Sequence, residues 1–89
     1  MMYPYMTLPD ETNIVHSEVR DDGRVLVYME QPVIGGFNYF SVTLPDYTIQ
    51  NRKGFTEEQQ AELMRFVENN AALILELAAE GGFDHAAGF

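Results

Sequence analysis

Residues 24–44 read RVLVYMEQPVIGGFNYFSVTL and contain two runs, 24–31 and 37–44, in which one set of alternate positions is apolar. A period of two is the pattern of a β-strand with one buried face. The apolar residues that share a face are Val25, Val27 and Met29 in the first run and Phe40, Val42 and Leu44 in the second. Between the runs, Pro32 ends a strand and Gly35-Gly36 supply a turn. The stretch therefore predicts an antiparallel β-hairpin.

One more strand is predicted before this hairpin. Residues 13–20, NIVHSEVR, are rich in β-branched side chains, which favour strands. The DDGR segment at residues 21–24 is a strong turn signal, because Gly23 can adopt a positive φ next to an aspartate. The three runs predict an antiparallel meander in which the strands pair in chain order. Residues 1–12 contain two prolines and are predicted to form an extended arm whose aromatic side chains pack on the domain.

The C-terminal half is predicted to be helical. The connecting segment, residues 45–55, reads PDYTIQNRKGF and fits either a short fourth strand or a loop lying on the sheet. Thr56 then occupies an N-cap position, and Gln59 completes a capping box with it. Gly81 can adopt the left-handed conformation that ends a helix. The intervening residues, about 24 in number, predict one helix of about 36 Å.

These elements predict a single α+β domain over residues 1–89. Its core is a three-stranded antiparallel meander, or a four-stranded one if residues 45–55 pair, followed by one long C-terminal helix packed on the sheet. Residues 82–89 form a tail. A chain of 89 residues buries only about 60–65% of its unfolded surface as a monomer, so association would add to its stability.

The helix is apolar around most of its circumference, notably over residues 69–83, NNAALILELAAEGGF. Its apolar side chains fill an arc of about 200°, whereas a helix on one sheet needs a stripe of about 100°. The excess predicts a second contact surface. The arm at residues 1–8, the tail and a second subunit are three alternatives for its cover. For a homodimer, the candidate interface residues are Phe66, Leu73 and Leu77.

Charge limits the partners. The chain has 14 acidic and 5 basic residues, a net charge of −9. Non-specific binding to DNA or RNA depends on Lys and Arg, so direct nucleic-acid binding is not expected. An anionic membrane would repel the chain, and no stretch has the roughly 18 apolar residues of a membrane span. A basic protein would be attracted. The N-terminus also lacks the basic and apolar regions of a signal peptide, so we predict a cytoplasmic protein.

The sequence shows no catalytic signature. Cysteine is absent, which excludes disulfides and thiolate chemistry. His16 and His85 lack a third ligand at the spacing of a metal site, and the Gly-Gly pairs lack the context of a phosphate-binding loop. We therefore predict no enzymatic activity, no cofactor and no metal. Tyr28, Tyr39 and Glu30 fit a small pocket between sheet and helix, with burial in the core as the alternative.

The N-terminal MMYPYMTLPDET and the C-terminal NNAALILELAAEGGFDHAAGF resemble small proteins carried on mobile elements of gut Firmicutes. The resemblance extends over much of the chain. It implies an accessory or regulatory protein, such as an antitoxin-like partner or an inhibitor of host defence. It assigns no role to any particular residue.

Three functions remain open. The leading one is a noncatalytic acidic protein–protein interaction module that forms a homodimer. The second is a nucleic-acid mimic that inhibits a defence nuclease, in the manner of an anti-CRISPR protein, and the third is a small-ligand binder. The candidate partner-binding surface consists of acidic residues: Glu57, Glu58, Glu62, Glu68, Glu76, Asp21, Asp22 and Asp46. A mimic needs carboxylates spaced like phosphates in one exposed stripe, whereas a generic acidic protein scatters them.

Overall fold

A sheet followed by one helix makes up the fold in a computed structural model that describes residues 1–81. The strands and the helix within these residues are β1 (Met2–Thr7), β2 (Asn13–Ser17), β3 (Val25–Val33), β4 (Gly36–Leu44), β5 (Thr48–Lys53) and α1 (Glu57–Glu80). The five strands form one antiparallel sheet in which each strand pairs with the next along the chain. The predicted α+β class and meander are thus confirmed. The predicted number of strands, three or four, is too low.

Residues 24–44 form the predicted central hairpin, but β3 continues through Pro32 to Val33, and the turn is Ile34-Gly35 instead of the predicted Gly35-Gly36. The facing pairs of the hairpin are Val25 with Leu44, Val27 with Val42, and Met29 with Phe40. All of these side chains are fully buried. The connection between Val33 and Gly36 has two residues, and Gly35 takes a φ of 87°, which a side chain would disfavour. The alternating pattern therefore sets both the register and the buried face of this hairpin.

The two additional strands lie at the edges of the sheet. Residues 2–7 of the predicted arm are extended, but they pair with β2 as an edge strand. A register shift between Pro4 and Met6 interrupts their alternation. The segment 45–55 was predicted to be either a strand or a loop. Its residues 48–53 pair with β4 and form the strand β5. Every residue of β5 is exposed, so this strand has no buried face to mark it in the sequence.

The helix has the predicted boundaries. Thr56 Oγ1 accepts a hydrogen bond from the Gln59 backbone N–H at 3.1 Å, and Gln59 Oε1 accepts one from the Thr56 N–H at 2.9 Å. This reciprocal pair is the predicted capping box. At the other end, Gly81 takes a left-handed conformation and donates its N–H to the Leu77 carbonyl. The helix is continuous from Glu57 to Glu80.

The helix packs against β2, β3 and β4 on the apolar face of the sheet. Its buried residues are Leu63, Val67, Ala71, Ile74, Leu77 and Ala78. The opposite face carries the alternate residues of β3 and β4, and we call it the helix-free face because no helix of residues 1–81 packs on it. No helix within residues 1–81 has the length and apolar character needed to cross a bilayer. The predicted tail, residues 82–89, lies outside the described residues.

Candidate functional site

Two stacked tyrosines and a glutamate lie on the helix-free face. Tyr28 and Glu30 are alternate residues of β3, and Tyr39 of β4 lies directly opposite Glu30. The rings of Tyr28 and Tyr39 stack with centroids 6.4 Å apart and an interplanar angle of 19°. The prediction that these side chains line a pocket between sheet and helix is wrong. The helix covers the valine and methionine face of β3, so the tyrosines face away from it.

An open pocket of about 530 Å³ adjoins this pair of tyrosines. It lies over β1, β2 and β3, and both Tyr28 and Glu30 line it. The other lining residues are Pro4, Tyr5, Met6, Thr7, Asn13, Ile14 and Val15. The register shift of β1 falls in the middle of this wall, and register shifts of this kind commonly bend an edge strand locally. A pocket that combines apolar walls with a few polar groups is the usual form of a binding site.

The polar groups of the pocket are partly preorganised. Thr7 Oγ1 donates a hydrogen bond of 2.6 Å to Asn13 Oδ1, which fixes the hydroxyl and the amide. Burial raises the pKa of the Tyr28 hydroxyl, and the Glu30 carboxylate raises it further by hydrogen bonding and by its negative charge. Tyr28 therefore remains a neutral hydrogen-bond donor at neutral pH. The ion pairs within residues 1–81 join other groups, so Glu30 has no cationic partner there.

The predicted acidic surface divides into two groups. Every one of its residues is exposed: Glu57, Glu58, Glu62, Glu68 and Glu76 on α1, Asp21 and Asp22 before β3, and Asp46 between β4 and β5. The glutamates share the solvent side of one helix, because the opposite side of α1 is buried in the core. The aspartates lie in turns. The structure thus places the glutamates on one side of α1, whereas the aspartates belong to the β2–β3 and β4–β5 turns.

Two of the aspartates stabilise their own turns. Asp46 accepts hydrogen bonds from the Thr43 and Thr48 hydroxyls and lies 3.6 Å from the Arg24 guanidinium. The Thr48 and Thr43 hydrogen bonds lower the pKa of Asp46, with a smaller contribution from Arg24. Asp22 Oδ1 accepts the Arg24 N–H at 3.0 Å, as turn aspartates commonly do. These carboxylates already have partners within the chain.

The predicted subunit interface is split by the fold. Leu77 is only 4% exposed and belongs to the core of its own chain, so it offers no surface to a second subunit. Phe66 is partly buried, and its ring lies edge-on to Tyr5 of β1 with centroids 6.2 Å apart. Leu73 is 43% exposed. The N-terminal strand therefore covers one flank of the helix, and Leu73 is the candidate that remains open.

His16 is a core residue and faces no ligand-like cluster. It is fully buried beside the rings of Tyr3 and Tyr5, and its Nδ1 lies 2.9 Å from the Ser17 carbonyl oxygen. Because a carbonyl only accepts, Nδ1 carries the proton in this contact. No group of three metal-ligating side chains occurs among residues 1–81. His85 lies outside the described residues.

The sequence interpretation missed an exposed apolar hairpin tip at the β3–β4 turn. Ile34 is fully exposed, Phe37 is 54% exposed and Val33 is 42% exposed. Residues 31–45, which include this tip, contain no charged residue in a chain of net charge −9. The lack of charge over residues 31–45 was the sequence signal that could have indicated this surface. Exposed apolar patches of this kind mark contact surfaces in soluble proteins.

Comparison of the chain with protein-family models, with curated proteins and with solved structures gives no match. Three surfaces of residues 1–81 have features typical of binding sites. They comprise the glutamates of α1, the pocket beside Tyr28 and the uncharged hairpin tip.

Proposed function

We propose that this chain is a noncatalytic acidic protein–protein interaction module whose partner is a basic protein. The observation that carries the proposal is the charge of α1. Its exposed carboxylates are Glu57, Glu58, Glu62, Glu68, Glu76 and Glu80, and Arg65 is the only basic residue of the helix. A one-signed surface of this kind attracts an oppositely charged partner and speeds its association.

The C-terminal end of α1 strengthens this argument. The last turn holds no basic residue, while Glu76 and Glu80 lie near it. Negative charge at a helix C-terminus is unfavourable, by about 0.3–1 kcal/mol for each exposed group, because the helix dipole is negative there. A lysine or arginine of a partner would be attracted both to these glutamates and to the negative end of the helix dipole. The resemblance to mobile-element proteins supports an accessory or regulatory role for such a complex, as in an antitoxin-like partner.

Capture of partners from lysate of the source cells, followed by mass spectrometry, tests the proposal. We expect the captured proteins to be basic and their capture to weaken between about 50 and 300 mM salt, since screening lengths fall below about 10 Å in this range. A triple variant, Glu62→Gln, Glu68→Gln and Glu76→Gln, should lose capture. A control with the exposed changes Glu11→Gln and Glu18→Gln, both outside α1, should retain most of it. Salt-independent capture of neutral or acidic partners would contradict the proposal.

Nucleic-acid mimicry is the alternative, and the glutamates on one side of α1 favour it. Their spacing, however, is wide. From Glu57 to Glu76 the helix rises about 28 Å and carries five of the predicted carboxylates, whereas one strand of DNA carries about eight phosphates over that length. This lower charge density favours the general interaction module. Competition distinguishes the two, because a mimic is displaced from its partner by DNA or RNA.

Small-ligand binding is the second alternative, favoured by the pocket beside Tyr28. In the leading proposal, the same pocket receives a side chain of the protein partner.

The proposed module also self-associates as a homodimer, and the exposed Leu73 is the helix residue that supports this part.

A further inference from the structure

We propose that the pocket on the helix-free face binds the guanidinium group of an arginine side chain presented by a protein partner. This inference rests on the proposed function, because it assumes a basic protein partner. It assigns the recognition of that partner to a site distinct from the glutamates of α1.

The stacked tyrosines provide an aromatic platform for a cation. Tyr28 lines the pocket and stacks on Tyr39 of the neighbouring strand, which holds the Tyr28 ring in place. A cation near a tyrosine face is attracted by the negative electrostatic potential of the ring. Arginine fits such a platform better than lysine does, because its planar guanidinium stacks on the ring and also donates several hydrogen bonds.

Glu30 provides the matching negative charge. It lines the same pocket, is partly buried, and has no ion-pair partner within residues 1–81. Lys53 of β5 lies opposite Tyr39 on this face, yet it forms no ion pair with Glu30. The raised pKa of Tyr28 supports this arrangement, since Glu30 is one of its causes. A charged hydrogen bond in a partly buried pocket is stronger than one on an open surface.

The size and walls of the pocket suit a long side chain. Its volume of about 530 Å³ lies within the usual range of ligand pockets. Pro4, Met6 and Val15 line it with apolar surface, against which the methylene stem of an arginine can pack. The net charge of −9 adds a long-range attraction for such a group. The aromatic platform, the carboxylate, the apolar wall and the overall charge all favour a planar cation on an apolar stem, as in arginine.

Titration with N-acetyl-arginine amide, followed by two-dimensional ¹H–¹⁵N NMR, tests the proposal. N-acetyl-citrulline amide is the matched probe, because it has nearly the same shape and no charge. We expect saturable shifts at the backbone amides of the pocket with the arginine probe and at least about tenfold weaker binding of the citrulline probe. Glu30→Gln and Tyr28→Leu should each weaken arginine binding by about tenfold. Glu76→Gln removes the same charge on α1 and should leave it nearly unchanged.

Equal binding of the two probes, or shifts confined to the α1 glutamates, would overturn the inference. Tyr28→Phe keeps the ring and should bind within a few-fold of the parent, and Tyr28→Val, a strand-favouring change without a ring, replaces Tyr28→Leu if that variant fails to fold. Failure of the two proposals can be distinguished. If a basic partner is captured equally by the parent and by Glu30→Gln, the pocket inference fails and the proposed function stands. If the arginine probe binds and no basic protein is captured, the proposed function fails alone.

Discussion

Tyr5 of the edge strand β1 donates a hydrogen bond from its hydroxyl to Asn70 Oδ1 in the middle of α1, at 2.7 Å. Asn70 in turn donates from Nδ2 to the Phe66 carbonyl at 2.8 Å, one turn earlier in the helix. Asparagine is a mediocre helix former, so its presence at mid-helix calls for an explanation. The bond to Tyr5 supplies one, because it connects the strand furthest from β5 to the helix. Tyr5, the one buried residue of β1, thereby anchors the N-terminal strand to the core.

Tyr5→Phe removes this hydrogen bond and leaves the side-chain oxygen of Asn70, Oδ1, without the Tyr5 donor. We expect a loss of about 1 kcal/mol in the free energy of unfolding, the usual net value of such a bond. Chemical denaturation followed by circular dichroism measures it. Tyr3→Phe on the same strand is the matched control and should change stability by less than about 0.5 kcal/mol. Equal losses in both variants would contradict a specific role for the Tyr5 hydroxyl.

Stability should fall at alkaline pH. Burial raises the pKa of Tyr5, and burial together with Glu30 raises the pKa of Tyr28. In both cases the folded state holds its proton more tightly than the unfolded chain does. The resulting stabilisation is complete below the unfolded tyrosine value of about 10 and is lost as pH rises through the higher folded values. Denaturation midpoints measured from about pH 8 to 11 should therefore decrease, and Tyr5→Phe should flatten the decrease.

Thr56→Ala should destabilise the helix start. The Thr56 hydroxyl accepts the Gln59 N–H, and its loss leaves that donor without its cap. The expected cost is about 1 kcal/mol, or a decrease of about 4–8 °C in Tm for a domain of this size. Thr56→Ser keeps the hydroxyl and is the control, with an expected change of a few tenths of a kcal/mol. Thermal denaturation that does not separate the two variants would contradict this role of the cap.

The elements that could be predicted are those with local signals. The central hairpin shows its buried face by alternation, and α1 shows both ends by Thr56 and Gly81. The edge strands lack such signals. In β1, Pro4 and the register shift interrupt the alternation, and β5 is exposed along its length and held by pairing with β4. Proline, bulges and exposed polar residues are typical of sheet edges, where they oppose pairing with other chains.

The candidate site was predictable only in part. The period of two places Tyr28 and Glu30 on the same face of β3, as the structure confirms. The same alternation marks the valine and methionine face as the buried one, and the helix covers that face, so the predicted pocket between sheet and helix conflicted with the pattern itself. The pocket also needs the wall from β1, whose pairing is not visible in the sequence. Leu77 was predicted to lie at a subunit interface but is buried in the core. Helical periodicity places it near the edge of the apolar arc, and tertiary packing decides whether a residue at that edge is buried.

Self-association can be tested at Leu73. Because its side chain is 43% exposed, Leu73→Glu should fold normally and place a charge in any subunit contact made there. We expect the dimer Kd to rise at least about a hundredfold, roughly 3 kcal/mol, since an unpaired charge in a desolvated contact is strongly unfavourable. Light scattering coupled to size-exclusion chromatography at tens of micromolar should show a dimeric parent and a monomeric variant.

Ile34→Glu at the hairpin tip provides the comparison. Ile34 is fully exposed, so this change also leaves the core intact. If the parent is dimeric and only Ile34→Glu produces a monomer, the subunits meet at the uncharged tip, and the helix prediction is wrong. If both variants remain dimeric, neither surface is the interface. A parent that is already monomeric at this concentration contradicts self-association itself. Leu73 is then simply an exposed leucine, and β1, through Tyr5, supplies the second contact that the wide apolar arc of the helix predicts.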